Sequence, residues 1–121
     1  MIVAGFGLRA AADAASLRAA LSLLDAPRLS ALAAPADKAD HPALSAMAAD
    51  LALPLIAVPL AALRAQNCAT SARRQPARYG SGSVAEAAAL AACGKGARLI
   101  RPRQIAPGGL VTVALAEGIS G

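Results

Sequence analysis

Short apolar runs alternate with helical stripes along this chain, and that alternation constrains the fold more than any other feature. Residues 1–6 are apolar apart from Gly5 and end at Phe6-Gly7. Such a run suits a strand buried on both faces. Gly5-Phe6-Gly7-Leu8-Arg9 reads as its exit loop. Leu17, Ala20, Leu21 and Leu24 then recur at i, i+3, i+4 and i+7, the spacing of one helix face. Asp13 or Ser16 starts that helix, and Asp25-Ala26-Pro27 ends it. A second strand over 29–34 closes at Pro35. Asp40 is the expected cap of the next helix, with Pro42 in its first turn, where a missing N–H costs nothing. Leu44, Met47, Ala48 and Leu51 supply its stripe. Residues 54–58 read as a third strand, and Pro59 opens a short helix to about residue 64.

The second half follows the same logic with one long interruption. Residues 67–82 are irregular and hold Thr70, Ser71, Arg73, Arg74, Arg78 and Tyr79. A long loop in a compact domain tends to be functional or disordered, so this one reads either as an anion-binding flap or as a solvated basic loop. Tyr79-Gly80-Ser81-Gly82-Ser83-Val84-Ala85-Glu86 then turns a glycine loop directly into a helix. Ser83 is a good N-cap, and Glu86, three residues on, completes the form of a capping box. Gly80 and Gly82 permit close backbone approach. A helix begun this way aims free amides and the positive end of its dipole forward, which makes an anion site. The same residues also read simply as a well-capped helix after a flexible turn. Gly94 and Gly96 stop that helix. Strands over 97–100 and 110–116 flank the turn Pro107-Gly108-Gly109 and form an antiparallel hairpin. The tail 118–121 is expected to fray.

The fold class predicted is α/β: a three-layer α/β/α sandwich with a mostly parallel five-stranded sheet and an antiparallel C-terminal edge hairpin. Residues 1–121 are expected to form a single domain. Ligands of such sheets sit beyond the carboxyl ends of the strands. Gly5, Gly7 and Arg9, then Asp37 and Lys38, then the stretch from Thr70 to Ser83 should therefore meet at one rim.

Composition narrows the function. Hydrophobic residues are 57% of the chain, and much of that is alanine, so the core should be helix-rich and closely spaced. Aromatics are only 2%, which counts against stacking platforms for bases or sugars. The net charge of +5 suits nucleic acid, anionic lipid or a polyanionic small molecule. No helix-turn-helix, zinc-finger or RNP signature accompanies it, so nucleic acid is not expected. The apolar stretch 51–63 carries Pro54 and Pro59 and falls short of the roughly 20 residues a bilayer requires. The N-terminus lacks a basic region ahead of its apolar run and does not look like a signal peptide. A soluble, cytoplasmic protein is expected.

Weaker motifs compete with these. Gly5-x-Gly7-x-x-Ala10 fits a loose dinucleotide fingerprint, but the acid wanted at the end of the second strand is replaced by Ala33-Ala34-Pro35. His41, the lone histidine, has no serine elbow to serve and reads as a helix-start polar residue. Cys68 and Cys93 lack the spacing of a zinc site and read as reduced thiols, so neither metal nor cofactor is expected. Asp37-Lys38 is open to three readings: an ion pair, an acid/base pair or a solvated loop.

Three segments together resemble the C-terminal domain shared by the cobalamin-biosynthesis proteins CbiG and CobE. They are Gly5-Phe6-Gly7-Leu8-Arg9; Leu32-Ala33-Ala34-Pro35-Ala36-Asp37-Lys38 leading to Leu44 and Leu53-Pro54-Leu55; and Thr70-Ser71 followed by Tyr79 through Ala89. The third is the most specific, and the order covers nearly the whole chain. The family's cysteine-arginine-arginine form of the first loop is here Phe6-Gly7-Leu8-Arg9, which keeps the last basic position. The short chain is similar to the stand-alone CobE form of vitamin B12 synthesis.

The resemblance implies a protein that binds a carboxylate-rich corrin-ring precursor, a tetrapyrrole of the precorrin or hydrogenobyrinic-acid type. It would act as a carrier or accessory, with other cobalamin-biosynthesis enzymes as partners. The alternative it implies is a hydrolase that opens the lactone of (cobalt-)precorrin-5A and releases acetaldehyde. The candidate binding residues are Gly5, Gly7, Arg9, Asp37, Lys38, Ser71, Tyr79, Gly80, Ser81, Gly82, Ser83 and Glu86. Arg9 and Lys38 would pair with carboxylates, and the amides of 80–83 would hold another. Asp37 and Glu86 would be structural, or a general base if chemistry occurs.

Overall fold

The apolar runs and stripes become strands and helices in the order expected. A computed structural model describes residues 1–25, 28–64, 84–94 and 96–118. The elements are β1 (Ile2–Leu8), α1 (Ala14–Leu24), β2 (Ala31–Pro35), α2 (Pro42–Leu51), β3 (Leu55–Val58), α3 (Leu60–Arg64), α4 (Val84–Cys93), β4 (Arg98–Ile105) and β5 (Val111–Glu117). They build one mixed sheet in the order β3-β2-β1-β5-β4. β1 pairs in parallel with β2, Val3 opposite Ala31, and β2 with β3, Leu32 opposite Leu55. β5 runs antiparallel to the whole of β1, from Ile2 opposite Glu117 to Leu8 opposite Val111. β4 closes the edge antiparallel to β5. The hairpin turns through Gly108 and Gly109, both at positive φ, which glycine adopts without strain.

Successive strand side chains point to opposite faces, and here both faces are covered. Ala4, Phe6, Leu8, Leu32 and Ala34 join Leu17, Leu24, Leu44 and Met47 in the core under α1 and α2. Val3, Ala31, Ala33 and Val58 face the other way and meet Leu63, Ala87 and Ala88 of α3 and α4. Burial on two sides is the physical reason the strands read as unbroken apolar runs.

Three expectations are corrected by the geometry. Gly5 and Gly7 do not form an exit loop: they lie inside β1, which is paired with β5 to its last residue. A Cβ on Gly5 would sit 2.2 Å from the Ala85 carbonyl oxygen and 2.5 Å from the Ala89 nitrogen, so glycine is there to let the α4 backbone approach the strand. The cap of α2 is His41, not Asp40. Pro42 occupies the first turn and pushes the residue before it to extended backbone, φ −58° and ψ 126°, where an N-cap sits. β4 extends well past residue 100, through Pro102. It can do so as an edge strand, because Pro102 needs no ladder partner there. The register passes from Arg101 opposite Leu115 to Gln104 opposite Val113, so Pro102 and Arg103 together oppose Ala114 in a bulge. Of the two starts offered for α1, Asp13 is the N-cap: its carboxylate accepts the Ser16 N–H at 2.8 Å.

Candidate functional site at the carboxyl rim

β1, β2 and β3 all run toward the same end of the sheet, where the β4–β5 turn also lies. Backbone bonds stitch the segments leaving those strands into one rim. The Arg9 N–H donates to the Leu110 carbonyl at 2.9 Å, which ties the exit of β1 to the hairpin. The Ala36 N–H donates to the Val58 carbonyl at 2.8 Å, which ties the exit of β2 to that of β3. Beyond Pro35 the chain makes two consecutive turns, Lys38 N–H to Pro35 carbonyl at 2.8 Å and His41 N–H to Lys38 carbonyl at 3.0 Å. His41 Nε2 lies 3.0 Å from the Ala10 carbonyl, so the segment after β2 is also tied to the segment after β1.

α4 begins at the same end. Val84, its first residue, lies 3.6 Å from where a Gly7 Cβ would be. The positive pole of its dipole therefore adjoins the rim. Thr112 closes the other side of Gly7: its hydroxyl donates to the Gly7 carbonyl at 3.4 Å.

Of the candidate residues, the structure brings Arg9, Asp37 and Lys38 to this rim. Arg9 and Asp37 are exposed and Lys38 is half-buried. The ion pairs Arg18–Asp50 and Arg98–Glu117 form toward the opposite end, and neither engages Arg9 or Lys38. Gly5 is sealed under α4 and Gly7 is a half-buried strand residue beside Val84. Ser71, Tyr79, Gly80, Ser81, Gly82 and Ser83 lie outside the described residues, as do Cys68 and the arginines at 73, 74 and 78.

Glu86 is wholly buried in the first turn of α4, and its Oε2 accepts the backbone N–H of Arg103 at 2.9 Å. The bulge frees that N–H from the strand ladder, and the carboxylate takes it. A buried amide left without an acceptor costs on the order of 1–3 kcal/mol, so this bond has a structural reason to exist. It also fixes where α4 starts relative to β4. The sequence gives no hint of it, because the acceptor and donor lie in different elements and the donor is a backbone group.

Among the described residues two titrating groups are shifted. Asp13 is held below the ordinary carboxylate range, first by the Ser16 backbone N–H and then by its hydroxyl. Burial pushes the Cys93 thiol up, against a more reactive thiolate. Among the described residues no group of three or more His, Cys, Asp or Glu side chains is placed to hold a metal ion. None of the described helices is long and apolar enough to cross a membrane.

This three-layer α/β fold has known counterparts. The family described as "Cobalamin synthesis G C-terminus" matches residues 2–116. The chain belongs to that family. It is similar to the crystal structure of the cobalamin biosynthesis protein chiG from Agrobacterium tumefaciens str. C58, at 36% identity and a TM-score of 0.75, over 99% of this chain and 100% of that one. It is also similar to CobE, a protein from the cobalamin (vitamin B12) biosynthetic pathway, at 31% identity and a TM-score of 0.84, over 100% of this chain and 92% of CobE. A cobalamin biosynthesis protein G homologue from Sulfolobus solfataricus shares the fold at 17% identity and a TM-score of 0.71, over 95% of this chain and 36% of the homologue. No curated protein gives a significant match.

Proposed function

We propose that this chain, acting as one domain in the cytoplasm, binds a carboxylate-rich corrin-ring precursor at the carboxyl rim. It would serve cobalamin biosynthesis as a carrier or accessory protein. One observation carries the reading: bonds from Arg9 to Leu110 and from His41 to Ala10 hold the loops bearing Arg9 and Lys38 together, beside the start of α4. Ring carboxylates need cations and amides, and arginine can take a carboxylate bidentately. Family membership supports the same substrate class. The burial of Glu86 and its bond to Arg103 favour a structural role for it over activation of a water.

The test is capture of hydrogenobyrinic acid. Gel filtration of the mixture should carry the pigment with the protein at micromolar concentration, and the Arg9→Ala/Lys38→Ala variant should release it. Pigment eluting free of the wild-type protein would defeat the proposal. Release of acetaldehyde from the precorrin-5A lactone, lost in Asp37→Asn, would move the reading from capture to hydrolysis.

A further inference from the structure

We infer that His41 is a positioning residue: a neutral imidazole of one tautomer that locks the loop carrying Arg9 to the turn carrying Lys38. The inference rests on the rim reading above and adds what sets the spacing of its cations.

The argument starts at Pro42. Proline brings no N–H to the first turn of α2, so Ala43 supplies the first amide that the cap can satisfy. That amide donates to His41 Nδ1 at 3.2 Å. Nδ1 must then offer a lone pair, which puts the ring proton on Nε2. Nε2 faces the Ala10 carbonyl at 3.0 Å, and a carbonyl only accepts. Both contacts therefore demand the same tautomer. A charged imidazole would lose the cap, and the other tautomer would lose both bonds.

The two bonds complete a continuous chain of constraints. Lys38 is held through its N–H on Pro35, and its carbonyl takes the His41 N–H. The His41 ring holds Ala10. Arg9 is held on its amino side by Leu110, and its carbonyl takes the Ala12 N–H at 3.0 Å. Removing the imidazole leaves every other bond in that chain intact but uncouples the two loops. Either side chain alone would still be cationic. What is lost is the fixed spacing of the two backbone segments that carry them, the pre-organisation that a rigid macrocycle with carboxylates at set positions rewards.

His41 is the only histidine, so its imidazole nitrogens can be read directly by 15N NMR of the wild-type protein. The expected spectrum has the proton on Nε2 and none on Nδ1. The reverse tautomer, or a rapidly averaging mixture, would overturn the inference. The variant to use is His41→Ser, because serine still caps α2 but ends far short of Ala10. Its thermal midpoint should stay near wild type while the Ala12 amide exchanges faster; unchanged exchange would overturn the tether.

Its affinity for hydrogenobyrinic acid should fall by about two- to tenfold, the worth of one neutral hydrogen bond. In an Arg9→Ala background, His41→Ser should cost nothing more. Independent, multiplying losses would mark a merely structural residue and overturn the coupling. If Arg9→Ala alone leaves capture unchanged, the rim reading falls, and the tautomer and exchange results still decide the tether.

Discussion

The two faces of the sheet are built on opposite principles. Under α1 and α2 the core is made of large side chains, Phe6, Leu17, Leu24, Leu32 and Leu44, all fully buried. Under α4 alanines at 31, 33, 87 and 88 leave Val3, Val58 and Leu63 as the larger members, and helix backbone approaches strand backbone at Gly5. A face filled by side chains can shift rotamers when a residue is resized. Where main chains touch, as at Gly5, there is no side chain to move. Gly5 and Phe6 are adjacent in sequence and fall on opposite faces, so they separate the two principles within one dipeptide.

The largest effect should come from Gly5→Val. Its branched side chain would overlap the Ala85 carbonyl and the Ala89 nitrogen, neither of which can move without displacing α4. We expect no soluble folded protein, judged by circular dichroism and recovery; a native thermal transition would refute the backbone-contact account of that face. Glu86→Ala comes next. It strips the acceptor from the Arg103 N–H and should cost about 2–3 kcal/mol in urea unfolding. Glu86→Gln keeps an acceptor and should lose less; equal losses would show that the bond to Arg103 is not what matters. Phe6→Leu, on the bulky face, should cost only about 1 kcal/mol, the usual range for an apolar exchange that can repack.

The smallest effect sharpens the comparison at the surface. Asp13→Ala removes the α1 cap on an exposed side chain. Because the folded Asp13 titrates below its ordinary range, its stabilisation is complete above the unfolded value near 4 and fades as pH falls through the folded value. The gap in thermal midpoint between wild type and variant should therefore be open at neutral pH and close in acid. A gap that widens in acid would contradict the assignment.

Most of the fold was legible in the sequence because burial leaves periodic traces. The stripe of Leu17, Ala20, Leu21 and Leu24 located α1, and Pro107-Gly108-Gly109 located the hairpin turn. Arg9, Asp37 and Lys38 were placed at one rim by the rule that ligands gather beyond the carboxyl ends of parallel strands. What escaped was set by contacts between elements distant in the chain. Gly5 looked like a turn residue because the α4 backbone that demands it arrives some 80 residues later. The outer half of β4 is hidden because Arg101, Pro102 and Arg103 break the apolar signal that marks buried strands. His41 reads in the sequence as a helix-start residue and is one, but nothing in the sequence announces its second bond to Ala10.

The bulged, proline-bearing outer margin of β4 has a further consequence for life in a crowded solution. An incoming chain seeking to extend the sheet meets a missing donor at Pro102, an Arg103 amide already turned inward, and like charges at Arg101 and Arg103. Copies of the protein should glance off one another along that border, so the molecule can accumulate without zipping into fibrils from that side.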